Sequence, residues 1–327
     1  EYGLLFNSYY NAVGPQWHRA SRGHLSRPTV SEVSDYRRQV DESVQDLFDR
    51  IEDSHLLDFY FLMELGLNHE QQHQELLLTD IKYNFAINPL RPALRESSGS
   101  VRPVASAELH WIDVSGGRYQ VGQRNSGSFC FDNELPCFEV LLQDFRIASR
   151  LTTCAEYLEF IEEGGYETPQ LWLSDGWDWV CRENCKAPLY WEQTEGSWGL
   201  MTLSGFREVL PSEPVCHVSH FEADAFATWA GKRLLTEFEW EVAAEAFRPV
   251  ADEGNFADDE VFHPTPAASE IGVQLVQMLG DVWEWTGSAY LPYPGFRPGA
   301  GTIGEYNGKF MSGQMVLRGG STATPRD

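Results

Sequence analysis

The sequence is poor in positive charge. It has 24 Lys and Arg against 49 Asp and Glu, a formal net charge of -25. That balance argues against nucleic acid or an anionic membrane surface as partner, because both recruit basic residues. No run of about 18 apolar residues occurs, so no segment reads as a membrane span, and no signal peptide is expected. Cysteine is sparse: six in 327 residues, with no dense spacing. This pattern reads as reduced thiols in a cytoplasmic protein rather than a disulfide scaffold. Cys181 and Cys185 form a C-x3-C pair, but the second pair that a four-ligand zinc site requires is missing. Internal repeats, low-complexity stretches and a phosphate-binding glycine loop are absent too.

What is present suits packed domains. The chain is 42% hydrophobic and 13% aromatic, and 327 residues suffice for two cores. Residues 28–85 read as helical. Thr29-Val30-Ser31-Glu32 has capping-box spacing. Val33, Tyr36, Val40, Val44, Leu47, Phe48 and Ile51 then recur at three- and four-residue steps, the stripe of an amphipathic helix. A second helical stretch is expected from about His55 to Phe85. Residues 89–108 are rich in Pro and Ser and lack periodicity, which reads as a linker. Beyond it, short apolar runs alternate with Gly, Pro and Trp. Helices stand out only near Thr153–Glu163, Glu222–Trp229 and Glu237–Ala246. The expected domains are 1–88, helical, and 109–327, α+β, joined by 89–108.

The sharpest chemical signal is His69-Glu70-Gln71-Gln72-His73. Histidines at i and i+4 share a helix face and can chelate one ion. The same residues match the zinc-protease signature H-E-x-x-H, in which Glu70 would serve as general base. A two-histidine, one-carboxylate iron site fits equally, with Glu75, Asp80 and Glu96 available as carboxylates. The pentapeptide does not choose among these.

Two further groups accompany it. Tyr9 and Tyr10, in Asn7-Ser8-Tyr9-Tyr10, can supply a phenol proton. Arg19 and Arg22 form a pair able to grip a carboxylate. The C-terminal half carries a distributed set: Pro214-Val-Cys-His217, Trp229, Arg233, Glu239-Trp240, Trp283-Glu-Trp285 and Arg318-Gly-Gly-Ser321. By residue type these are tryptophan anchors, charged pairs and glycine turns, and none forms a Ser-His-Asp set.

Taken together these residues resemble a known family. The distributed set is similar to the formylglycine-generating-enzyme domain, a C-type-lectin-like fold, and the helices carrying His69 and His73 resemble a DinB-like bundle. That order, with Phe6-Asn-Ser-Tyr-Tyr10, Tyr293-Pro-Gly-Phe296 and Glu305-Tyr-Asn-Gly-Lys-Phe310, resembles the ergothioneine-biosynthesis sulfoxide synthases. The resemblance implies a non-heme Fe(II) cofactor held by His69, His73 and a third histidine. That histidine is expected on a helix before Glu1, so the chain reads as an internal fragment with an incomplete bundle. It implies oxygen-dependent coupling of a thiol, cysteine or gamma-glutamylcysteine, to the imidazole of trimethylhistidine. Tyr9 or Tyr10 would be catalytic, and Arg19 and Arg22 would bind the carboxylates of the sulfur donor. Gln72, Trp283 and Trp285 complete the substrate-binding candidates. An ovothiol- or selenoneine-type coupling enzyme is the related alternative. A formylglycine-generating activity is not expected, since no cysteine follows Cys216.

Overall fold

The computed structural model describes residues 2–7, 9–24, 26–95, 107–124, 129–247, 254–268 and 274–326. The side chains of Phe6, Arg19, Arg22 and Thr302 also lie outside the described set. In chain order the helices are α1 (Tyr2–Phe6), α2 (Val30–Arg50), α3 (Leu56–Ile87), α4 (Cys154–Glu162), α5 (Ser174–Glu183), α6 (His220–Trp229), α7 (Glu237–Phe247) and α8 (Thr302–Asn307). The strands are β1 (Trp111–Val114), β2 (Gly117–Val121), β3 (Phe138–Leu142), β4 (Phe145–Ala148), β5 (Trp191–Thr194), β6 (Ser197–Thr202), β7 (Gly205–Glu208), β8 (Glu284–Ala289) and β9 (Met315–Arg318). Helix and sheet are both present in quantity, so the α+β expectation holds.

By packing, the chain divides into two compact units that interleave along the sequence. The first comprises Glu1–His69, Gly122–Pro136 and Pro292–Met311; the second comprises Glu70–Val121, Cys137–Leu291 and Ser312–Asp327. Helix α3 contributes residues to both.

In the first unit α2 starts where the capping box predicts. The Thr29 side chain accepts from the Glu32 N–H, and the Glu32 side chain answers to the Thr29 backbone. Two helix-end donors that water would otherwise satisfy are thereby paired. Two residues of the α2 stripe make ring contacts, Tyr36 stacking on Tyr2 at 4.5 Å and Phe48 meeting Phe59 edge-on at 4.7 Å, but no residue of α2 is buried, and Val33, Val40 and Leu47 stay exposed.

In the second unit the strands form four small antiparallel sheets: β1 with β4, β2 with β3, β5-β6-β7, and β8 with β9. Alternation explains the pairing. In β1, Ile112 and Val114 point inward while Trp111 and Asp113 point out, and β4 buries Phe145 and Ile147 opposite them. One core gathers these residues with Val121, Trp240, Val242 and Ala243. A second core centres on Tyr157, Phe160, Tyr166, Trp172 and Trp191. Each large side chain so buried contributes about 1.5–3 kcal/mol.

Helix α5 is absent from the sequence expectation. Its N-cap position is Leu173, which has no side-chain oxygen for capping, and Gly176 interrupts the pattern. The glycine is there for packing: a Cβ would come 2.7 Å from Phe221 Cβ. Of the expected linker, residues 96–106 lie outside the described residues. The preceding stretch is docked within the second unit: the Leu94 N–H donates to the Leu203 carbonyl at 2.8 Å, and Arg91 Nη2 donates to both Glu192 carboxylate oxygens, at 2.8 and 2.6 Å. Among the described residues no helix is long and apolar enough to cross a membrane.

Candidate active site

Asn7 shapes the loop that carries the two tyrosines. Its side-chain oxygen accepts from the Tyr10 N–H at 3.0 Å, and its amide donates to the carbonyls of Tyr10 and Gly14 at 2.8 and 3.2 Å. A short side chain thus closes the turn by imitating backbone.

The loop is then clamped by residues almost 300 positions away. Both Glu305 oxygens accept backbone N–H bonds, from Asn11 at 2.7 Å and Ala12 at 3.0 Å. Lys309 donates to Glu305 at 3.0 Å and to the Tyr9 carbonyl at 2.6 Å, with its ammonium 3.8 Å from the centre of the Tyr9 ring. The Asn11 and Ala12 N–H bonds, with Lys309, hold the Glu305 carboxyl down at about 2. Asn307 ties the same segment to Asp132 at 2.7 Å. Two sequence blocks, Asn7–Ala12 and Glu305–Phe310, therefore form one structure.

An aromatic cluster grows from it. Tyr9 meets Tyr10 edge-on at 4.9 Å and Phe310 at 5.2 Å. Tyr306 stacks on Phe131 at 6.0 Å and meets the His69 ring edge-on at 5.3 Å. Phe129 and Phe61 extend the row, at 5.0 Å from Phe131 and 6.4 Å from Phe129. Tyr9, Tyr10 and His69 are thus united in the first unit. The Tyr9 hydroxyl donates to the Tyr306 carbonyl at 2.5 Å. Burial, and then the negative charge of Glu305, push the Tyr10 phenol above its ordinary value.

His73 follows His69 by one turn of the continuous helix α3, which places both imidazoles on one helix face. Neutral imidazoles so spaced are suitable donors for a borderline divalent ion. Among the described residues no group of three or more His, Cys, Asp or Glu is assembled around a common point. Glu75, weighed above as a carboxylate ligand, is otherwise engaged. It accepts from the Trp283 indole at 2.7 Å, from Ser321 at 2.9 Å and from Thr324 at 2.8 Å. The turn bearing Ser321 depends on Gly319, whose φ is 104° and where a Cβ would lie 2.6 Å from the Met278 carbonyl oxygen.

The remaining candidates fall as follows. Gln72, on α3, lies in the second unit, and so do Trp283, just before β8, and Trp285, on β8. The Trp285 indole donates to the Val218 carbonyl at 3.0 Å and meets His220 edge-on at 5.6 Å. Both tryptophans therefore offer ring faces rather than free N–H donors. Arg19 and Arg22 lie on the 3-10 turn Arg19–His24, and their side chains fall outside the described residues. Sequence reasoning quoted the Glu305–Phe310 block for its resemblance but gave Glu305, Lys309 and Tyr306 no role; the Glu305/Lys309 spacing of four is a further local signal. It also missed Lys82, a buried lysine on α3 whose Nζ lies 2.5 Å from His217 Nε2.

Residues 99–327 match the FGE-sulfatase family, described as a sulfatase-modifying factor enzyme 1-like domain. The chain is 34% identical over 345 residues to a hercynine oxygenase of Mycolicibacterium thermoresistibile, covering 94% of this chain and 72% of that one. It is 34% identical over 334 residues to the hercynine oxygenase of Mycolicibacterium smegmatis, covering 93% and 74%. A formylglycine-generating enzyme of Thermomonospora curvata is 28% identical over 218 residues, covering 53% and 69%. On these matches the chain belongs to the ergothioneine-pathway sulfoxide synthase family and carries that family's sulfatase-modifying-factor-like domain.

Proposed function

We propose that the protein is a hercynine-modifying sulfoxide synthase that uses iron(II) and oxygen to join a thiol to the imidazole of trimethylhistidine. The observation that supports this reading best is the joint assembly of Asn7–Ala12 and Glu305–Phe310 into one aromatic cluster holding both tyrosines and the His69 ring.

His69 and His73 would hold the iron, together with a further ligand. When bound, iron(II) supplies the oxygen chemistry by which the carbon–sulfur bond forms and the sulfur is oxidised. The protein's own groups have separate tasks. Tyr10 holds a proton at its phenol oxygen and delivers it toward coupling rather than plain thiol oxidation. Arg19 and Arg22 take the carboxylates of cysteine or gamma-glutamylcysteine. The rings around Tyr306 offer faces to a trimethylated ammonium, which can donate no hydrogen bond and is held by ring quadrupoles. Lys309 over Tyr9 is an internal instance of that attraction. Gln72, Trp283 and Trp285 are the further substrate-contact candidates. Within the helical part, a DinB-like bundle is the architecture that suits a ligand pair on one long helix, as a C-type-lectin-like fold suits the second unit.

Stripping the metal with a chelator should abolish coupling, and iron(II) but not zinc should restore it. His69→Ala and His73→Ala should each lose iron retention and turnover together. Restoration of a hydrolytic activity by zinc would overturn the proposal.

A further inference from the structure

Two thiols meet at the end of one helix, outside all the chemistry above. Helix α5 closes at Asn184, which takes up a left-handed conformation with φ 52°. The chain turns back there, and the Cys185 N–H donates to the Val180 carbonyl at 3.0 Å, the six-to-one closure of a Schellman turn. Cys185 is thereby folded against the last helical turn, which carries Cys181. Cys181 lies in the last turn of α5 and Cys185 two residues beyond its end at Glu183; a disulfide spans a Cα separation of about 4.4–6.8 Å. Both cysteines line a single cavity of about 540 Å³, with Trp177 and Trp198 among its walls. Cys181 is exposed and Cys185 partly buried; both are free thiols.

We infer that Cys181 and Cys185 are a redox-active dithiol, a modification site that closes to an intramolecular disulfide by exchange with a small-molecule disulfide. The exposed Cys181 thiolate attacks one sulfur of that disulfide, forms a mixed disulfide and releases the first small thiolate. Cys185 then gives up its proton to solvent and attacks the Cys181 sulfur, which releases the second. Two protein thiols are oxidised and the small disulfide is reduced to two thiols, so atoms and electrons balance. Burial pushes the Cys185 thiol up, which suits it to act second, once Cys181 is captured and poised beside it.

The test uses the whole protein and glutathione disulfide, with free thiols counted by alkylation and the Cys181–Cys185 peptide read by mass. The expected result is loss of two of the six free thiols, a peptide lighter by two hydrogens, and no retained glutathione. Cys185→Ser should keep one glutathione on Cys181, and Cys181→Ser should react about ten-fold more slowly. Glutathione held stably on Cys181 of the unmodified protein, a disulfide between two chains, or six thiols left free would each overturn the inference.

Discussion

The Tyr9 hydroxyl donates to the Tyr306 carbonyl at 2.5 Å, whereas the Tyr10 hydroxyl has no hydrogen-bond partner among the described residues. The two phenols are therefore not equivalent. Tyr10→Phe should lower sulfoxide formation by about 10²–10⁴-fold, while oxidation of the thiol persists; Tyr9→Phe should lose one hydrogen bond, about 0.5–1.5 kcal/mol, with product ratios little changed. Product masses from parallel reactions decide between them, and equal effects on coupling would contradict the assignment. Because burial and Glu305 raise Tyr10 above 10.0, the proton stays on through neutral pH and Tyr10 should impose no alkaline limb below about pH 10. Glu305 behaves oppositely. Its folded value, about 2, lies below the ordinary 4.5. Its contribution is thus fully present above the ordinary value and is lost as pH falls toward the folded one. Amide exchange at Asn11 and Ala12 should stay protected down through pH 4.5, and Glu305→Ala should release both amides; unchanged exchange in that variant would show that the clamp is idle.

At the scale of elements, Gly176 in α5 opposes two effects. Alanine would favour the helix by about 1 kcal/mol, but its Cβ would fall 2.7 Å from Phe221 Cβ, and overpacking costs about 1–3 kcal/mol. Gly176→Ala should therefore lower the melting temperature, and a rise would mean that α6 yields more easily than its packing implies. The same residue explains what the sequence leaves illegible. Thr29 with Glu32 is readable because a capping box is local, and Thr153 with Glu156 and Ser219 with Glu222 cap α4 and α6 in the same way. Helix α5 has no capping oxygen, and only Phe221 accounts for its glycine. The site divides likewise. His69 and His73 are legible because four residues bring them to one face. The bonds from Asn11 and Ala12 to Glu305 join residues 294 and 293 apart, and no single-sequence pattern announces them. Glu75 looks like a ligand from its place on the helix, yet its oxygens answer to Trp283, Ser321 and Thr324.

For the molecule as a whole, the acidic balance of -25 argues against a polyanionic partner. Its two units interleave along the chain, with α3 contributing residues to both; within the second unit Glu75 bonds Ser321 and Thr324, and Lys82 meets His217. The central claim is carbon–sulfur coupling. It is tested most directly by incubating the purified complete protein in air with iron(II), trimethylhistidine and, separately, cysteine or gamma-glutamylcysteine, with products read by mass. The account predicts a sulfoxide in which sulfur from one of the two thiols is bonded to the imidazole ring, formed only with iron and oxygen present. Oxidised thiol alone with each donor, from iron-loaded protein, would contradict it.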